Sequence, residues 1–387
     1  MILSRIELVN WKNFYHCDVS LSERTFVVGA NASGKSNFLD AFRFLHDLAK
    51  AGGGLQTAVA SRGGMTKIRC LAARKRTDIE FVVHLKEDGG DSDVWKYVLD
   101  FKNVGGGILK NEVSIIKEEV WYGAKQLLCR TPQSPNEDSD TLKYTHLEQV
   151  TSNKEFRELR IFFNNIDYLN VVPQLVRESG SMLLSFDKED FYGRNFLQRL
   201  AKMNKTTSAA YFRRINEILK LAVPQLDKLT LTNDEMGVPH LEARYEHWRA
   251  KGSKQQEEQF SDGTLRLIGF LFALLDSRGV VLLEEPEINL HSAIVAQLPE
   301  FISKLQRSKK ETRQVFITTH SYDMLSNQGI GGDEVILLKP SPEGTKVINA
   351  ATLADVMAEL NAGFSVADAV MPYTRPYHID SIAEIKW

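Results

Sequence analysis

Cysteine is scarce in this sequence. The chain has three cysteines, Cys17, Cys70 and Cys129, and no two of them stand at CxxC spacing. Disulfide frameworks and zinc sites need cysteines in even numbers or at short fixed spacings. We therefore expect neither a disulfide framework nor a zinc hook, and the pattern is typical of a protein kept in a reducing compartment.

An excess of charge of one sign is also lacking. The 48 lysines and arginines nearly balance the 50 aspartates and glutamates, which leaves a formal net charge of -2. Such a balance gives no overall attraction to nucleic acid. Any contact with DNA or RNA would therefore have to come from a local basic patch.

Long hydrophobic runs are missing as well. No stretch approaches the roughly 18 consecutive apolar residues that indicate a membrane-spanning helix. The first residues, "MILSRIELVNWKNF", lack the apolar core of a signal peptide. Sustained heptads, which would indicate a long coiled-coil arm, are absent too. The sequence predicts a cytoplasmic protein without membrane spans.

The hydrophobic pattern predicts three regions in a chain of 387 residues, of which 43% are hydrophobic. Residues 1–146 contain a strand, a glycine-rich loop, a helix and then strand-like runs typical of an antiparallel meander. Residues 147–222 have helical apolar spacing and predict a helical insertion, or arm. Residues 223–387 begin with a hairpin around Met236 and Gly237. They then alternate between strand and helix, which favours a mostly parallel sheet.

A glycine-rich loop provides the first functional motif. From Gly29 to Ser36 the sequence fits GxxxxGK[ST] at every fixed position. Backbone N–H groups in such a loop point at phosphate oxygens, and the next helix adds the positive end of its dipole. We expect Lys35 to bridge the β- and γ-phosphates and Ser36 to bind Mg²⁺. The other loop residues predicted to contact the nucleotide are Asn31, Ala32, Ser33, Gly34 and Asn37.

Two adjacent carboxylates end an apolar strand, Val280 to Leu283. Burying an unpaired carboxylate is costly, so Glu284 and Glu285 indicate either a solvated strand end or a nearby cation. The glycine-rich loop favours the cation, because a phosphate-bound Mg²⁺ needs an acidic residue from a second strand. We expect Glu284 to face the metal and Glu285 to act as the general base on an attacking water.

Two further motifs narrow the class of P-loop protein. "QFSDGTLR" places Ser261 and Gly263 at the start of an apolar helix, and "VFITTHS" ends a strand at His320. Together with "IELVNWKNF" and "EEPEINLH", these motifs resemble those of the SMC/Rad50/RecF-like branch of ATP-binding-cassette (ABC) ATPases. Within that branch they are most similar to the compact bacterial AAA_21 group, which includes overcoming-lysogenization-defect proteins and is often found in phage-defence operons.

The resemblance implies an ABC-ATPase head of α/β fold, with a mostly parallel sheet, an antiparallel β meander and a helical insertion. It implies that the chain binds ATP and Mg²⁺, hydrolyses ATP, and forms a homodimer that sandwiches two nucleotides, with higher oligomers left open. Ser261 and the backbone of Gly263 would contact the γ-phosphate held by the other subunit. His320 would contact the γ-phosphate held in the same subunit as Lys35.

Other positions carry weaker implications of the same resemblance. Asn289 and His291 fall where the family's D-loop crosses the dimer interface, and Asn13 is a candidate for the adenine side. Two residues are candidates for the family's Q-loop glutamine. They are Gln56, in a glycine-rich stretch predicted to be a mobile loop, and Gln174.

The sequence departs from the wider ABC pattern at two sites. Asp262 stands where transporter cassettes have glycine, which adds a negative charge near the triphosphate. Glu284 replaces the usual aspartate and brings one extra methylene group. A transporter subunit is disfavoured, because the signature segment lies farther from the glycine-rich loop than in those modules.

The leading functional hypothesis is a nucleotide-gated dimeric ATPase. It would act as a sensor or scaffold in a prokaryotic anti-phage defence complex, with a separately encoded nuclease or toxin as effector. The residues after His320 contain neither a DxD-type acidic cluster nor an HNH-like histidine set, so no intrinsic nuclease is expected.

The alternative is a RecF-like repair or recombination ATPase that binds duplex DNA directly. Basic residues in the predicted helical insertion would then form a face that tracks phosphates, although a solvated helix surface explains them equally well. These residues are Arg157, Arg160, Arg194, Arg199, Lys202, Arg213 and Arg214.

Overall fold

Two six-stranded sheets and a smaller three-stranded sheet organise the described part of the chain. The structure is a computed structural model, and it describes residues 1–105, 112–135, 137–178, 192–193, 196–246, 253–277, 279–307 and 313–375. The predicted α/β class is confirmed.

The first sheet is antiparallel throughout. Its strands are β1 (Ile2–Trp11), β2 (Phe14–Ser20), β4 (Ile79–Lys86), β5 (Asp93–Asn103), β6 (Val113–Tyr122) and β7 (Lys125–Arg130). Their order is β2-β1-β4-β5-β6-β7, so the predicted meander of β4, β5 and β6 is confirmed. Strand β2 was not predicted, since polar residues fill its exposed positions and leave few apolar residues to mark it.

The second sheet is mostly parallel, as expected. It contains β3 (Arg24–Gly29), β8 (Ile166–Leu169), β12 (Val280–Glu284), β13 (Gln314–Thr319), β14 (Val335–Lys339) and β15 (Lys346–Asn349). The order is β15-β14-β3-β13-β12-β8, and β15 alone among these six runs antiparallel to its neighbour. Strand β8 comes from the predicted helical insertion; four residues are too few for an alternating pattern to reveal a strand.

Most helices of the described ranges are short. They are α1 (Lys35–Ala49), α2 (Leu55–Ala60), α3 (Met65–Ile68), α4 (Arg157–Asn164), α5 (Pro173–Arg177), α6 (Phe196–Lys202), α7 (Lys205–Ala222), α8 (Asp262–Asp276), α9 (Ser292–Val295), α10 (Leu298–Arg307), α11 (Tyr322–Leu325), α12 (Ala354–Asn361) and α13 (Val366–Val370). A single helix predicted from Ser292 to Leu305 is broken into α9 and α10. None of the helices in these ranges is long and apolar enough to cross a membrane.

Two hydrophobic cores lie on opposite faces of the parallel sheet. Leu282 and Phe316 pack into the first core, with α1, α4 and the antiparallel sheet. Their neighbours in sequence, Leu283 and Ile317, pack into the second core, with α6, α7, α8 and α10. Because side chains alternate along a strand, strands covered on both faces are apolar at every position, as the sequence of β12 indicated.

The glycine-rich residues 52–64 are not a mobile loop, and that prediction is wrong. They contain α2, whose Leu55 and Val59 are buried. The Arg62 guanidinium pairs with Asp40 and Asp47 of α1 at 2.9 and 2.7 Å. Glycines mark this segment because the chain turns tightly there, and the buried contacts then hold it against α1.

The third sheet has the order β11-β10-β9. Its strands are β9 (Leu226–Asn233), β10 (Pro239–Tyr245) and β11 (Ser253–Gln256). The hairpin predicted around Met236 and Gly237 is confirmed, since β9 and β10 pair antiparallel on either side of it. Helix α7 packs beside β9.

Candidate functional site

Three strands of the parallel sheet end side by side. Strand β13 lies between β3 and β12, and Thr318 is in register with Val27 on one side and Glu284 on the other. All three strands run in the same direction, so their carboxyl ends meet at one edge, where open α/β sheets bind ligands. This strand order gathers the glycine-rich loop, the two carboxylates and His320 from distant parts of the sequence.

Lys35, His320 and Glu285 form one cluster at this edge. The Lys35 side chain is only 7% exposed, and its Nζ lies 3.5 Å from His320 Nδ1 and 3.9 Å from Glu285 Oε1. Nζ also donates to the carbonyl oxygens of Gly29 and Ala30 at 3.2 and 3.4 Å. Burial lowers the pKa of Lys35, and the neighbouring glutamates oppose that shift.

The hydrogen bonds assign the tautomer of His320. Lysine can only donate, so His320 Nδ1 accepts from Lys35. The Nε2–H of the ring then donates to Glu285 Oε1 at 2.9 Å. Burial, followed by the charge of Lys35, lowers the pKa of His320, which keeps the ring neutral near pH 7. We call these linked contacts, Lys35–His320–Glu285, the relay. The contacts orient all three side chains.

Glu285 has a strained backbone. Its φ is 42°, a left-handed value that a residue with a side chain adopts at a cost of about 1–3 kcal/mol. Its N–H donates to the carbonyl oxygen of Thr318 at 3.0 Å, which fixes the turn after β12. Strain of this kind is concentrated at functional sites, where the surrounding structure holds it.

Glu284 lies beside this cluster and uses both of its oxygens. Ser36, in the first turn of α1, donates to Oε1, and the hydroxyl of Tyr168 on β8 donates to Oε2. The guanidinium of Arg43 lies over the Tyr168 ring, 4.3 Å from its centroid. No local motif predicted Tyr168, because its contact depends on β8 being the neighbour of β12.

The glycine-rich loop is folded as an anion cradle. Ala32 has φ 61° and Gly34 has φ 102°, so left-handed residues alternate with ordinary ones and turn the backbone N–H groups inward. A Cβ on Gly34 would lie 2.0 Å from the Asn13 amide, so only glycine fits there. The buried Ser33 hydroxyl has no hydrogen-bond partner within the described residues.

Asn13 stabilises this loop by hydrogen bonds. Its amide nitrogen donates to the Ser33 carbonyl at 2.9 Å and to the Thr345 hydroxyl at 2.7 Å. Its amide oxygen accepts from Asn37 at 2.8 Å. The structure thus gives Asn13 a supporting position, and the adenine contact implied by the resemblance stays a prediction.

The predicted signature residues lie at the start of α8. Ser261 is exposed and caps the helix by accepting from the Thr264 N–H at 3.2 Å. A Cβ on Gly263 would lie 2.2 Å from the carbonyl oxygen of Asn289, so the helix start and the loop after β12 approach closely only because residue 263 is glycine. Asn289 is exposed and left-handed, with φ 64°.

The extra negative charge of Asp262 is balanced locally. Arg177, on α5, donates to Asp262 Oδ1 at 2.5 Å and to the Phe260 carbonyl at 2.8 Å. The segment that follows β8 therefore holds the beginning of α8 by an ion pair. This ion pair offsets part of the negative charge that Asp262 places near the helix start.

Glu287 is a further site residue that the sequence analysis missed. Its Oε1 accepts from the Thr319 hydroxyl at 2.5 Å and from the His320 N–H at 3.2 Å. Burial raises the pKa of this carboxyl group. Glu287 links the loop after β12 to the end of β13, and its position two residues after Glu285 was the available signal.

The remaining candidates take structural or exposed positions. Gln56 donates to the carbonyl oxygens of Val113 and Lys143, far from the strand ends, whereas Gln174 is exposed in α5, just after β8. His291 caps α9 by accepting from the Ala293 N–H at 3.1 Å. The identity of a Q-loop glutamine stays a prediction.

The predicted basic face is divided. Helix α4, with Arg157 and Arg160, packs into the first core, whereas α6 and α7, with Arg199 and Arg213, pack into the second core. These helices lie on opposite sides of the parallel sheet. Arg194 lies outside the described residues.

The residues at the strand ends fit a magnesium-bound triphosphate. The cradle offers backbone donors, an unpartnered Ser33 hydroxyl and the buried cation of Lys35. Ser36 and Glu284 supply hard oxygen donors, which Mg²⁺ prefers together with phosphate oxygens and water. The loop, Lys35, Ser36 and Glu284 therefore supply the donors and metal ligands that a magnesium-bound triphosphate requires.

Comparisons with known proteins agree with this fold. The Smc head bound to the C-winged helix domain of ScpA superimposes with a TM-score of 0.53 and 18% identity, over 90% of this chain and 97% of that one. The Smc head with an extended coiled coil from Pyrococcus furiosus, bound to the C-terminal domain of ScpA, gives a TM-score of 0.51 and 14% identity, over 93% of this chain and 99% of that one. No curated protein matches the chain at a significant level.

The sequence itself matches one family. The AAA_21 family, described as "AAA domain, putative AbiEii toxin, Type IV TA system", matches residues 24–326, well over half of the chain. That range includes the glycine-rich loop, the signature segment, both carboxylates and His320. The chain therefore belongs to the AAA_21 family of P-loop ATPases and has the fold of an SMC-type ABC-ATPase head.

Proposed function

We propose that this protein binds ATP with Mg²⁺ at the ends of β3, β12 and β13 and hydrolyses it as one half of a two-chain ATPase. The relay of Lys35, His320 and Glu285 carries this proposal. It places a buried cation, a neutral histidine and a carboxylate within 3.9 Å of one another beside an anion cradle.

Binding rests on the loop and Lys35. Backbone N–H groups between Gly29 and Ser36 donate to the β- and γ-phosphate oxygens, and the N-terminus of α1 adds its partial positive charge. The Lys35 ammonium group exchanges its long contacts with carbonyl oxygens for charge-assisted hydrogen bonds to phosphate, which are stronger.

Hydrolysis requires a base on the attacking water. Glu285 accepts a proton from that water as its oxygen attacks the γ-phosphorus, and the bond to the β–γ bridging oxygen breaks to give ADP and phosphate. His320 holds Glu285 in place by donating its Nε2–H, and its Nδ1 accepts from Lys35. Mg²⁺, held by Ser36 and Glu284, would neutralise charge on the phosphate oxygens.

A second copy of the chain completes the site in this proposal. Ser261 is exposed at the N-terminus of α8, where the first N–H groups of the helix favour an anion. None of the described hydrogen bonds joins Ser261 to Lys35, Glu284 or Glu285 of the same chain. We therefore infer that Ser261 and the Gly263 backbone bind the γ-phosphate held by the partner copy.

At the cellular level, we propose a nucleotide-gated sensor or scaffold in an anti-phage complex with a separate effector. The family description, which names a toxin–antitoxin system, supports this setting. The related Smc heads have been solved with a domain of ScpA bound, so heads of this fold can carry a partner. The division of the basic residues between two sides of the sheet weighs against the direct duplex-binding alternative.

The decisive experiment removes the Lys35 cation. Lys35→Ala should lose ATP binding by at least 100-fold, because a buried charge-assisted contact to the triphosphate is worth several kcal/mol in sum. Titration with a fluorescent ATP analogue in Mg²⁺ measures this directly, and Lys125→Ala, an exposed lysine on β7, is the matched control. Undiminished affinity in Lys35→Ala would refute the site.

The same variant tests the cellular role. In cells carrying the native gene neighbourhood, Lys35→Ala should restore phage plating if the protein acts in defence. Raised sensitivity to DNA damage with unchanged plating would instead support the repair alternative.

A further inference from the structure

A large groove lies between α7 and β9, and none of its described lining residues belongs to the candidate site. We call it the α7–β9 groove; its volume is about 930 Å³, within the range of ligand-binding clefts. Apolar side chains form much of its lining, and they are Leu200, Met203, Phe212, Leu229 and Leu231.

One wall of the groove is the edge of a sheet. Strand β9 is the last strand in the order β11-β10-β9, so within the described residues its outer side pairs with no other strand. At Leu229, the backbone groups on this edge form hydrogen bonds with the Asn216 side chain of α7. The Asn216 amide accepts from the Leu229 N–H at 2.6 Å and donates to the Leu229 carbonyl at 2.9 Å, as a neighbouring strand would.

Beyond Asn216, no described residue pairs with this edge. In an antiparallel pair, alternate residues direct both backbone groups away from the partner strand. Leu229 faces outward, and the β9–β10 register is regular from Leu229 to Asn233, so Leu231 and Asn233 face outward too. Among the described hydrogen bonds, none uses the backbone groups of Leu231 or Asn233. Leu231 and Asn233 are therefore two successive outward-facing positions at which another strand can pair with β9.

The charge around the groove is mainly positive. Among the residues that the structure describes, the charged lining residues are Lys205, Arg213, Lys220, Lys228 and Arg244, against Glu217 and Asp227. Asp227 is already paired with Arg244 at 2.6 Å and with Lys220 at 3.7 Å. Among the described lining residues, three cations, Lys205, Arg213 and Lys228, are therefore opposed only by the Glu217 carboxylate, which favours an acidic occupant.

We propose that the α7–β9 groove binds an extended acidic segment of a partner protein, which adds a strand to β9 at Leu231 and Asn233. The open backbone groups pair with the main chain of such a segment, the apolar lining receives alternate side chains, and the cations bind its carboxylates. A nucleic acid would satisfy the cations but not the strand edge. This inference does not depend on ATP hydrolysis.

The direct test measures binding of a defined peptide to the full chain. A fluorescein-labelled octapeptide of alternating glutamate and valine serves as the probe in anisotropy titrations. A peptide of alternating lysine and valine tests the charge, and a labelled single-stranded oligonucleotide tests the competing class of ligand. We expect the acidic peptide to bind at least tenfold more tightly than either of the other two.

Two substitutions locate the binding site. Asn233→Pro removes one outward N–H and should weaken acidic-peptide binding about tenfold, the loss expected for one main-chain hydrogen bond and its strand pairing. Its matched control is Glu235→Pro, which places proline at the second position of the hairpin turn, where proline is favoured. Arg213→Glu should also weaken binding, whereas Lys125→Glu on β7 should not.

Thermal melting of each variant shows whether it is folded. If Asn233→Pro does not fold, the comparison of wild type with Arg213→Glu tests the proposal. Equal affinity of wild type, Asn233→Pro and Arg213→Glu for the acidic peptide would overturn the proposal, as would no binding at all. Preferential binding of the oligonucleotide would assign the groove to nucleic acid instead and would also overturn it. Normal ATP binding in these variants is expected in every case, so failure here leaves the nucleotide site untouched.

Discussion

At the scale of single residues, Glu284 is one of the two positions at which the sequence analysis found a departure from the wider ABC pattern. Its carboxylate joins two elements, because one oxygen meets Ser36 on α1 and the other meets Tyr168 on β8. Tyr168 is buried, and burial raises its pKa, so its hydroxyl stays protonated and can only donate to the carboxylate. Tyr168 thus holds Glu284 in a fixed orientation.

Removing the Tyr168 hydroxyl tests this role as a positioning residue. Tyr168→Phe should raise the Mg²⁺ concentration needed for half-maximal binding of a fluorescent ATP analogue by roughly tenfold, because a hydrogen bond to a charged group is lost. Binding without Mg²⁺ should stay unchanged, a split that a general loss of structure would not produce. Tyr144→Phe, at an exposed tyrosine, is the control; an unaltered Mg²⁺ dependence in Tyr168→Phe would contradict the assignment.

The sequence predicted the residues of this edge that belong to short local motifs. Lys35, Glu285 and His320 stand at motif positions, and the structure brings them together. Tyr168 and Glu287 could not be found in the same way. Their contacts follow from strand order and from the path of the loop after β12, which hydrophobic periodicity does not determine.

At the scale of elements, α2 is fixed to the antiparallel sheet by one side chain. Gln56 bonds to both backbone groups of Val113 on β6, at 2.8 and 3.1 Å, and to the Lys143 carbonyl at 2.7 Å. A glutamine used in this way is a structural bridge between three segments. Its amide is already committed to protein partners.

Replacing Gln56 should therefore cost stability and leave catalysis intact. Gln56→Ala should lower the free energy of unfolding by about 1–3 kcal/mol, because backbone groups lose their partners. Urea denaturation measures the loss, with Gln126→Ala on the exposed side of β7 as the control. A variant of normal stability with impaired ATP turnover would instead identify Gln56 as the Q-loop residue.

The apolar pattern predicted some element boundaries closely and missed others. Helix α8 runs from Asp262 to Asp276, close to the prediction, because its N-cap serine and its apolar content mark it clearly. Strand β8 has only four residues, and the sequence analysis included it in the predicted helical insertion. The helix predicted from Ser292 to Leu305 broke after Val295, a feature that its regular apolar spacing did not indicate.

At the scale of the whole molecule, the candidate site has two halves on one chain. The relay of Lys35, His320 and Glu285 lies at the strand ends, and Ser261 lies at the exposed start of α8. In our proposal each nucleotide joins the first half of one copy to the second half of its partner. Association of two chains should then depend on ATP.

Blocking hydrolysis should reveal this association. Glu285→Gln keeps the size of the side chain and one acceptor oxygen for His320 but removes the base, so ATP with Mg²⁺ should convert the protein from monomer to dimer in light scattering. The double variant Glu285→Gln, Ser261→Arg should remain monomeric, since a bulky side chain then stands where the γ-phosphate of the partner copy must lie. Dimers that form equally without ATP, or that survive Ser261→Arg, would argue against shared sites.

The overall class was predictable because alternation of strands and helices is a property of the sequence as a whole. The packing of α1 on the parallel sheet was not, since it depends on contacts such as the stacked rings of Phe42 on α1 and Phe316 on β13, whose centroids are 4.6 Å apart. These residues are far apart in sequence, and each is compatible with many partners. The contact between Phe42 and Phe316 can therefore be identified only from the folded structure.

The parallel sheet lies between two cores, and this has a consequence for how the protein can diverge. Each central strand must satisfy two different packing environments with adjacent residues, such as Leu282 on one side and Leu283 on the other. A larger or smaller side chain in β12 or β13 also displaces strand ends that carry the candidate site. Homologous chains should therefore vary least in these strands and most freely at sheet edges, even where neither contacts a ligand.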